Sequence, residues 1–151
     1  MPIYMKIEGL PLRGTGKGMH SGWIVLESCQ LGVNRHVTNA TGSGRGAPPS
    51  EIIITKSQDE ASTALFRMSM WGEGKKVTID FANGDNVYMT LELQNTLISN
   101  YSVSGHGGYG KGPTESLTLN STGISYDTKA APASGETKNW KDIFHALPGI
   151  P

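Results

Sequence analysis

Cysteine is all but missing from this 151-residue chain: Cys29 stands alone, so no disulfide can form within it. Its fold must rest on a packed core, and nothing in it requires an oxidising compartment. Charge excess is missing too. The chain carries 13 basic and 13 acidic residues, so no net field draws the whole protein to nucleic acid or to an anionic membrane. Long apolar runs are absent as well: no stretch approaches the roughly 20 apolar residues of a membrane helix. The N-terminus, MPIYMKIEGL, places Lys6 and Glu8 inside its one short apolar run, which excludes the uninterrupted h-region of a secretory signal. These absences predict a chain that is cytoplasmic at synthesis, does not insert in a membrane, and is exported only by a machine that reads no N-terminal signal.

What is present is glycine, 20 residues of it, with hydrophobic residues at only 36%. That mixture suits a loop-rich β domain with a polar surface. At 16.1 kDa the chain makes one domain, large enough to bury a core.

Alternating apolar residues recur along the chain. Ile3, Met5 and Ile7 alternate with Tyr4 and Lys6, a first strand, and a glycine-rich loop follows at LPLRGTGKGMHSG. A long strand is expected from Trp23 to about Val37, with Trp23, Val25, Glu27 and Cys29 on one face and Ile24, Leu26, Ser28 and Gln30 on the other. Both faces mix apolar with polar residues, so neither is marked as the core face, and Gly32 suggests a bend. EIIITK (51–56) is a strand by its isoleucines. VTIDFA and NVYMTLEL flank NGD as a hairpin whose Asn83-Gly84 signals a tight turn, and Thr96–Ser104 continues the strand. In Gly105–Asp127 a glycine-rich loop runs into PTESLTLNSTGISY, two antiparallel strand segments with one apolar face.

The one helix is predicted in SQDEASTALFRMSMWG. Ser57 with Glu60 fits a capping box, with Ser62 as a second N-cap. Ala61, Ala64, Leu65, Met68 and either Trp71 or Ser69 make the core stripe, and Gly72 the C-terminal cap. Strand segments thus outnumber helices by roughly seven to one. The tail, residues 129–151, changes character: KAAPASGETK is linker-like, and Trp140, Ile143, Phe144 and Leu147 are spaced for one helical face, which leaves a short docked helix or a flexible end as the two readings.

Candidate chemistry is sparse. GHGGYGK (105–111) matches seven positions of a phosphate loop, but Gly112 stands where the magnesium-binding hydroxyl belongs, and Pro113 and a strand follow where a helix is required. It reads as a turn. Cys29 and His36 are seven residues apart, about 23 Å along an extended strand at about 3.3 Å per residue, too far for a nucleophile and its base. Cys29 is therefore taken as inert. His20, His36, His106 and His145 lack the short spacings of a zinc site and are read as solvated surface histidines. Asp80, Asp85, Glu92 and Glu115 are the carboxylates available to a hydrolytic pair, with no pattern that joins any two. Arg35, His36 and Arg45 near a glycine-rich loop lack the interleaved aromatics of a nucleic-acid surface. No catalytic residue, metal or cofactor is expected.

One family shares several of these elements in order. PIYMKIEG opens, HSGWIVLES and QLGVNR follow a glycine-rich loop, EIIITKSQDEAS precedes the single helix, and LISNYSVSGHGG with PTESLTLNSTGISYD closes the domain. Over roughly Pro2–Thr128 the chain resembles the Hcp (haemolysin-coregulated) tube proteins of bacterial type VI secretion. The resemblance implies a mainly β fold, a small closed β-barrel of two packed antiparallel sheets with one flanking helix, over residues 1–128. It also implies a non-enzymatic structural subunit that forms hexameric rings, stacks them into the inner tube, and is secreted by the type VI system. The implied partners are further copies of the chain, type VI sheath and spike proteins, and small effector proteins in the lumen. The long loop of residues 39–50, without a large apolar residue, is the expected subunit or ring-stacking contact, through Asn39, Thr41, Ser43, Arg45, Pro48, Pro49 and Ser50. A monomeric β-barrel that binds another partner fits the composition equally well, and an all-β hydrolase is a more distant alternative.

Overall fold

The computed structural model describes residues 1–11, 13–32, 51–108, 110, 112–130 and 138–145, with 129–130 and 138–145 described by their backbone alone. Among the described residues the elements are nine strands and one helix: β1 (Ile3–Ile7), β2 (Ile24–Leu26), β3 (Ser28–Leu31), β4 (Ile52–Ser57), α1 (Ser62–Trp71), β5 (Lys75–Asn83), β6 (Asn86–Ser104), β7 (Thr114–Asn120), β8 (Gly123–Ala130) and β9 (Lys138–His145), with a 3-10 turn at Gly18–His20. Every strand pair is antiparallel.

The mainly β expectation, with one helix on an antiparallel framework, holds. The hydrogen-bonded order is β2-β1-β5-β6-β7-β4-β3, with β8 on β6 and β9 on β8. The closed barrel requires a correction, because the path starts at β2 and ends at β3 without a ladder between them. These two strands are successive pieces of one extended stretch broken at Glu27, whose N–H donates to the Thr55 carbonyl at 2.7 Å. The two ends of the sheet are thus joined by chain rather than by strand pairing.

Two strands change partners along their length and so turn the corners of the fold. β2 pairs with β1 and β3 with β4. The first half of β6 lies between β5 and β8, and its second half pairs with β7. At each corner the inward parity flips. Ile24 and Leu26 are buried, but beyond Glu27 it is Cys29 and Leu31 that pack on the core. In β6 Leu91 and Leu93 are buried, but beyond Asn95, at φ 48°, it is Thr96 and Ile98. One inserted residue reverses which side chains face inward, because the side-chain period of a strand is two.

The core lies between the two groups of strands. Met5, Ile7, Val77, Ile79, Leu91 and Leu93 from one side meet Ile52, Ile54, Leu117 and Leu119 from the other, and Leu65 of α1 is buried with them. The helix sits as expected, with Ala61 and Leu65 buried and Ala64 and Met68 half-buried. Trp71 is 75% exposed, so Ser69 rather than Trp71 lies nearer the core. The capping box is not formed. The N-cap is Ala61, and Asp59 serves in place of a cap by accepting the Ala61 N–H on Oδ1 at 2.9 Å.

The β5–β6 hairpin forms one residue later than expected. Asn83 and Asn86 pair, and Gly84 and Asp85 make the turn, with positive φ only at Gly84, the pattern of a II′ loop. β7 and β8 correspond to the two segments read from PTESLTLNSTGISY, but they do not pair with each other; they flank different halves of β6. The tail differs most. Lys138–His145 is a strand added to β8 from Gly123↔His145 to Ala130↔Lys138, not a docked helix. An eight-residue ladder outweighs the amphipathic helical spacing, which is marginal for so short a segment.

Candidate functional site

The loop expected to make assembly contacts, from Asn39 to Ser50, lies outside the described residues, as does His36. Among the described residues the structure buries ionisable groups together in two places, and the sequence pattern had marked neither as a cluster.

The first is a buried ion cluster at the end of the core. Ile52, Ile54 and Lys56 share the inward face of β4, while Glu115, Leu117 and Leu119 share that of β7, and the register sets Lys56 directly opposite Glu115. Lys56 is 0% exposed. Its Nζ donates to Glu115 Oε1 at 2.5 Å, Asp59 Oδ1 at 3.0 Å, the Ser57 carbonyl at 2.9 Å and Ser62 Oγ at 3.2 Å. Ser62 at the start of α1 donates to Glu115 Oε1 at 2.9 Å, and Tyr101 donates its hydroxyl to Oε2. Burial, and then the Glu115 carboxylate beside it, pushes the Tyr101 hydroxyl up, which holds it as a protonated donor. The signal for this cluster was present as phase: a lysine and a glutamate each in step with the apolar residues of their strands.

The second joins the N-terminal loop to the sheet. His20 is 1% exposed, a correction to its reading as a solvated histidine. Its Nε2 bonds Asp80 Oδ2 at 2.8 Å, Thr90 donates to Asp80 Oδ1 at 2.7 Å, and the imidazole stacks on Tyr4 with centroids 4.3 Å apart and meets Trp23 edge-on. The loop packs on the outer face of β1 and β5, so a histidine in a loop is enclosed by the sheet beneath it.

These clusters separate the carboxylates that a hydrolase would pair. Asp80 is engaged by His20 and Thr90, Glu115 by Lys56, and Glu92 faces Lys76 at a partly exposed 4.0 Å. Among the described residues no three His, Cys, Asp or Glu side chains converge as a metal site, and no helix is long and apolar enough to cross a membrane. The glycine-rich 105–113 segment links β6 to β7, and no helix follows it.

Cys29 is half-buried against the core, and burial pushes its thiol up from 9.0 to about 11. The thiolate is the reacting species, and its smaller fraction outweighs the greater nucleophilicity of a more basic thiolate, so at pH 8 its alkylation should run about tenfold slower in the folded chain than in the same chain in denaturant. Thiol titration under both conditions checks this. Equal rates would mean that Cys29 is open to solvent.

Comparison with known proteins gives these surfaces a context. The chain matches the family model described as type VI secretion system effector, Hcp, over residues 4–127. No curated protein sequence matches it. Its fold is similar to that of a type six secretion system protein, at 18% identity and TM-score 0.81, over 95% of this chain and 94% of the other. It is similar to a type VI secretion system effector from Yersinia pestis at 17% identity and TM-score 0.74, over 95% and 98% of the two chains. It also matches Hcp1 from the E. coli EAEC 042 pathovar at 16% identity and TM-score 0.76, over 97% and 100%. The structural likenesses establish the fold, and the sequence model, which takes in every strand from β2 to β7, establishes the lineage: this chain belongs to the Hcp family, the tube proteins of type VI secretion.

Proposed function

We propose that this protein is a non-enzymatic tube subunit that closes into rings of six, stacks those rings, and leaves the cell through the type VI machine. The observation that carries this reading is the family match across residues 4–127. A closed ring needs a heterologous interface whose rotation returns to the start, and a tube needs a second, axial contact. The surface has material for both: Met70, Trp71 and Leu97 are large apolar side chains left exposed, and β9 is an outer strand of the ladder. His20, Asp80, Lys56 and Glu115 are engaged in holding the fold together. Sheath and spike proteins are the expected axial partners, small effector proteins the lumen cargo, and the 39–50 segment a subunit or stacking contact.

Native mass spectrometry with negative-stain imaging of the same sample tests the reading. Rings at six times 16.1 kDa are expected; a monomer at high concentration would overturn it. Replacing residues 46–50 by a short Gly-Ser linker should then weaken stacking or closure while the subunit keeps its β circular dichroism. Unchanged light scattering would remove that segment from the interface.

A further inference from the structure

The buried ion cluster lies beneath a shallow cleft, broadly open to solvent, of about 350 Å3 between α1 and the strands leading to the β6–β7 loop. Its walls are Phe66, Tyr101, Val103 and Pro113, and its floor holds Ser62 and Glu115. Three features of the cleft point to one kind of occupant. The charges beneath it do not balance, because Lys56 faces both Asp59 and Glu115, and one cation against two carboxylates leaves a negative charge. None of the residues lining the cleft is basic. Lys56 supplies no further neutralisation, since its three N–H bonds are already shared among four acceptors. Glu115 Oε1 accepts from Lys56 and Ser62, but Oε2 accepts only from Tyr101, so Oε2 has capacity for a further donor, and Glu115 is among the residues that line the cleft. Above it the Phe66 and Tyr101 rings stand 5.6 Å apart and tilted by 59°, two π faces on a half-exposed site.

We propose that this cleft receives an arginine side chain from a partner protein, the guanidinium lying against the Phe66 and Tyr101 rings and donating to Glu115 Oε2. A planar, weakly hydrated cation that stacks and donates at once fits these walls better than an ammonium does. The raised Tyr101 hydroxyl is consistent with a negative potential there, after the contribution of its burial. The inference goes beyond tube assembly, and its test does not depend on ring formation.

The chain has three phenylalanines, so fluorophenylalanine labelling gives three fluorine resonances, of which Phe66→Leu identifies the one in the cleft. Acetyl-arginine-amide is titrated into the labelled full chain, with acetyl-citrulline-amide as its neutral near-isostere. Saturable movement of the Phe66 signal by the arginine probe is expected, with the Phe81 signal still and citrulline weaker by about tenfold or more, the worth of one charge-assisted bond. Glu115→Gln should abolish the difference between the probes, and if that variant does not fold, the comparison of probes on the unmodified chain decides alone. Equal response to both probes, or none at Phe66, overturns the proposal. A Phe66 signal that moves on dilution of the protein and answers the probe only when dilute would assign the cleft to a second copy of this chain, and would overturn the assignment to a different partner.

Discussion

Replacing Lys56 by methionine is expected to destabilise the folded subunit by about 3–5 kcal/mol, the usual cost of stranding a buried charge. The side chain has no solvent access, and Glu115 has a side-chain exposure of only 3%. Removing the ammonium leaves Glu115 and Asp59 facing each other in a place water reaches poorly, and it takes from Ser62 and Ser57 a donor they both share. The double replacement Lys56→Met with Glu115→Leu should behave differently. It removes the charges from the strand pair together and extends the apolar faces of β4 and β7 by one rung, and although Asp59 still loses its ammonium, the cost should fall below that of the single change. Urea unfolding of all four members of the cycle, at one protein concentration and one oligomeric state, measures the coupling. Added salt should alter the result little, because the pair is shielded from mobile ions. A single-variant loss under about 1 kcal/mol, the range of exposed pairs, would mean that the cluster is solvated and that its role in anchoring α1 is wrong.

The same cluster shows how far the sequence could be read. Strand positions followed from period-two alternation because most strands here have one apolar face, and Ile3, Met5, Ile7 and Leu117, Leu119 are buried as that pattern requires. Alternation failed where the chain turns a corner. Both faces of the 23–37 stretch looked mixed because the inward parity changes at Glu27: Ile24 and Leu26 belong to one phase, Cys29 and Leu31 to the other. A single inserted residue leaves no compositional mark, and it becomes visible only once β1 and β4 are known to pair with different halves of that stretch. The tail failed for a related reason. Trp140, Ile143 and Phe144 suit a helix by local spacing, whereas the edge of β8 that takes up this segment is a tertiary feature. His20 could not be recognised as buried from a loop rich in glycine, since its enclosure depends on Asp80, sixty residues away. Of the site, the family resemblance carried the function, while the phase of Lys56 and Glu115 was legible but unused.

Loss of the Asp80 carboxylate should free the N-terminal loop before it harms the core. In Asp80→Leu the His20 Nε2 and the Thr90 hydroxyl lose their common partner, and two polar groups left unsatisfied cost about 2–4 kcal/mol together when enclosed. The loop has few other ties. Gly14 N–H donates to the Gly22 carbonyl at 2.8 Å, Gly16 N–H to that of Trp23 at 2.9 Å and Trp23 N–H to that of His20 at 2.9 Å, and Lys6 sits 5.2 Å from the Trp23 ring centroid. Local opening should therefore speed amide exchange at Gly14, Gly16 and Trp23 by about thirtyfold or more, the equivalent of 2 kcal/mol at 1.36 per decade. The amides of β5 that face β1 and β6 should be much less affected. Asp80→Asn, which keeps one acceptor oxygen, should recover part of the protection, and a merely steric role for the side chain would predict full recovery. Gly14→Ala reaches the same loop by another route. A Cβ there would stand 2.1 Å from the Trp23 carbonyl oxygen and 2.5 Å from the Ile24 nitrogen, and backbone atoms cannot rotate away as a side chain can. The loop must lift for the methyl to fit, so this variant should expose His20 and show the same exchange pattern with the carboxylate intact. Acceleration spread evenly over the loop and β5 in both variants would show that the loop unfolds only with the whole domain, and the picture of a separately docked segment held by the His20–Asp80 bond would fail.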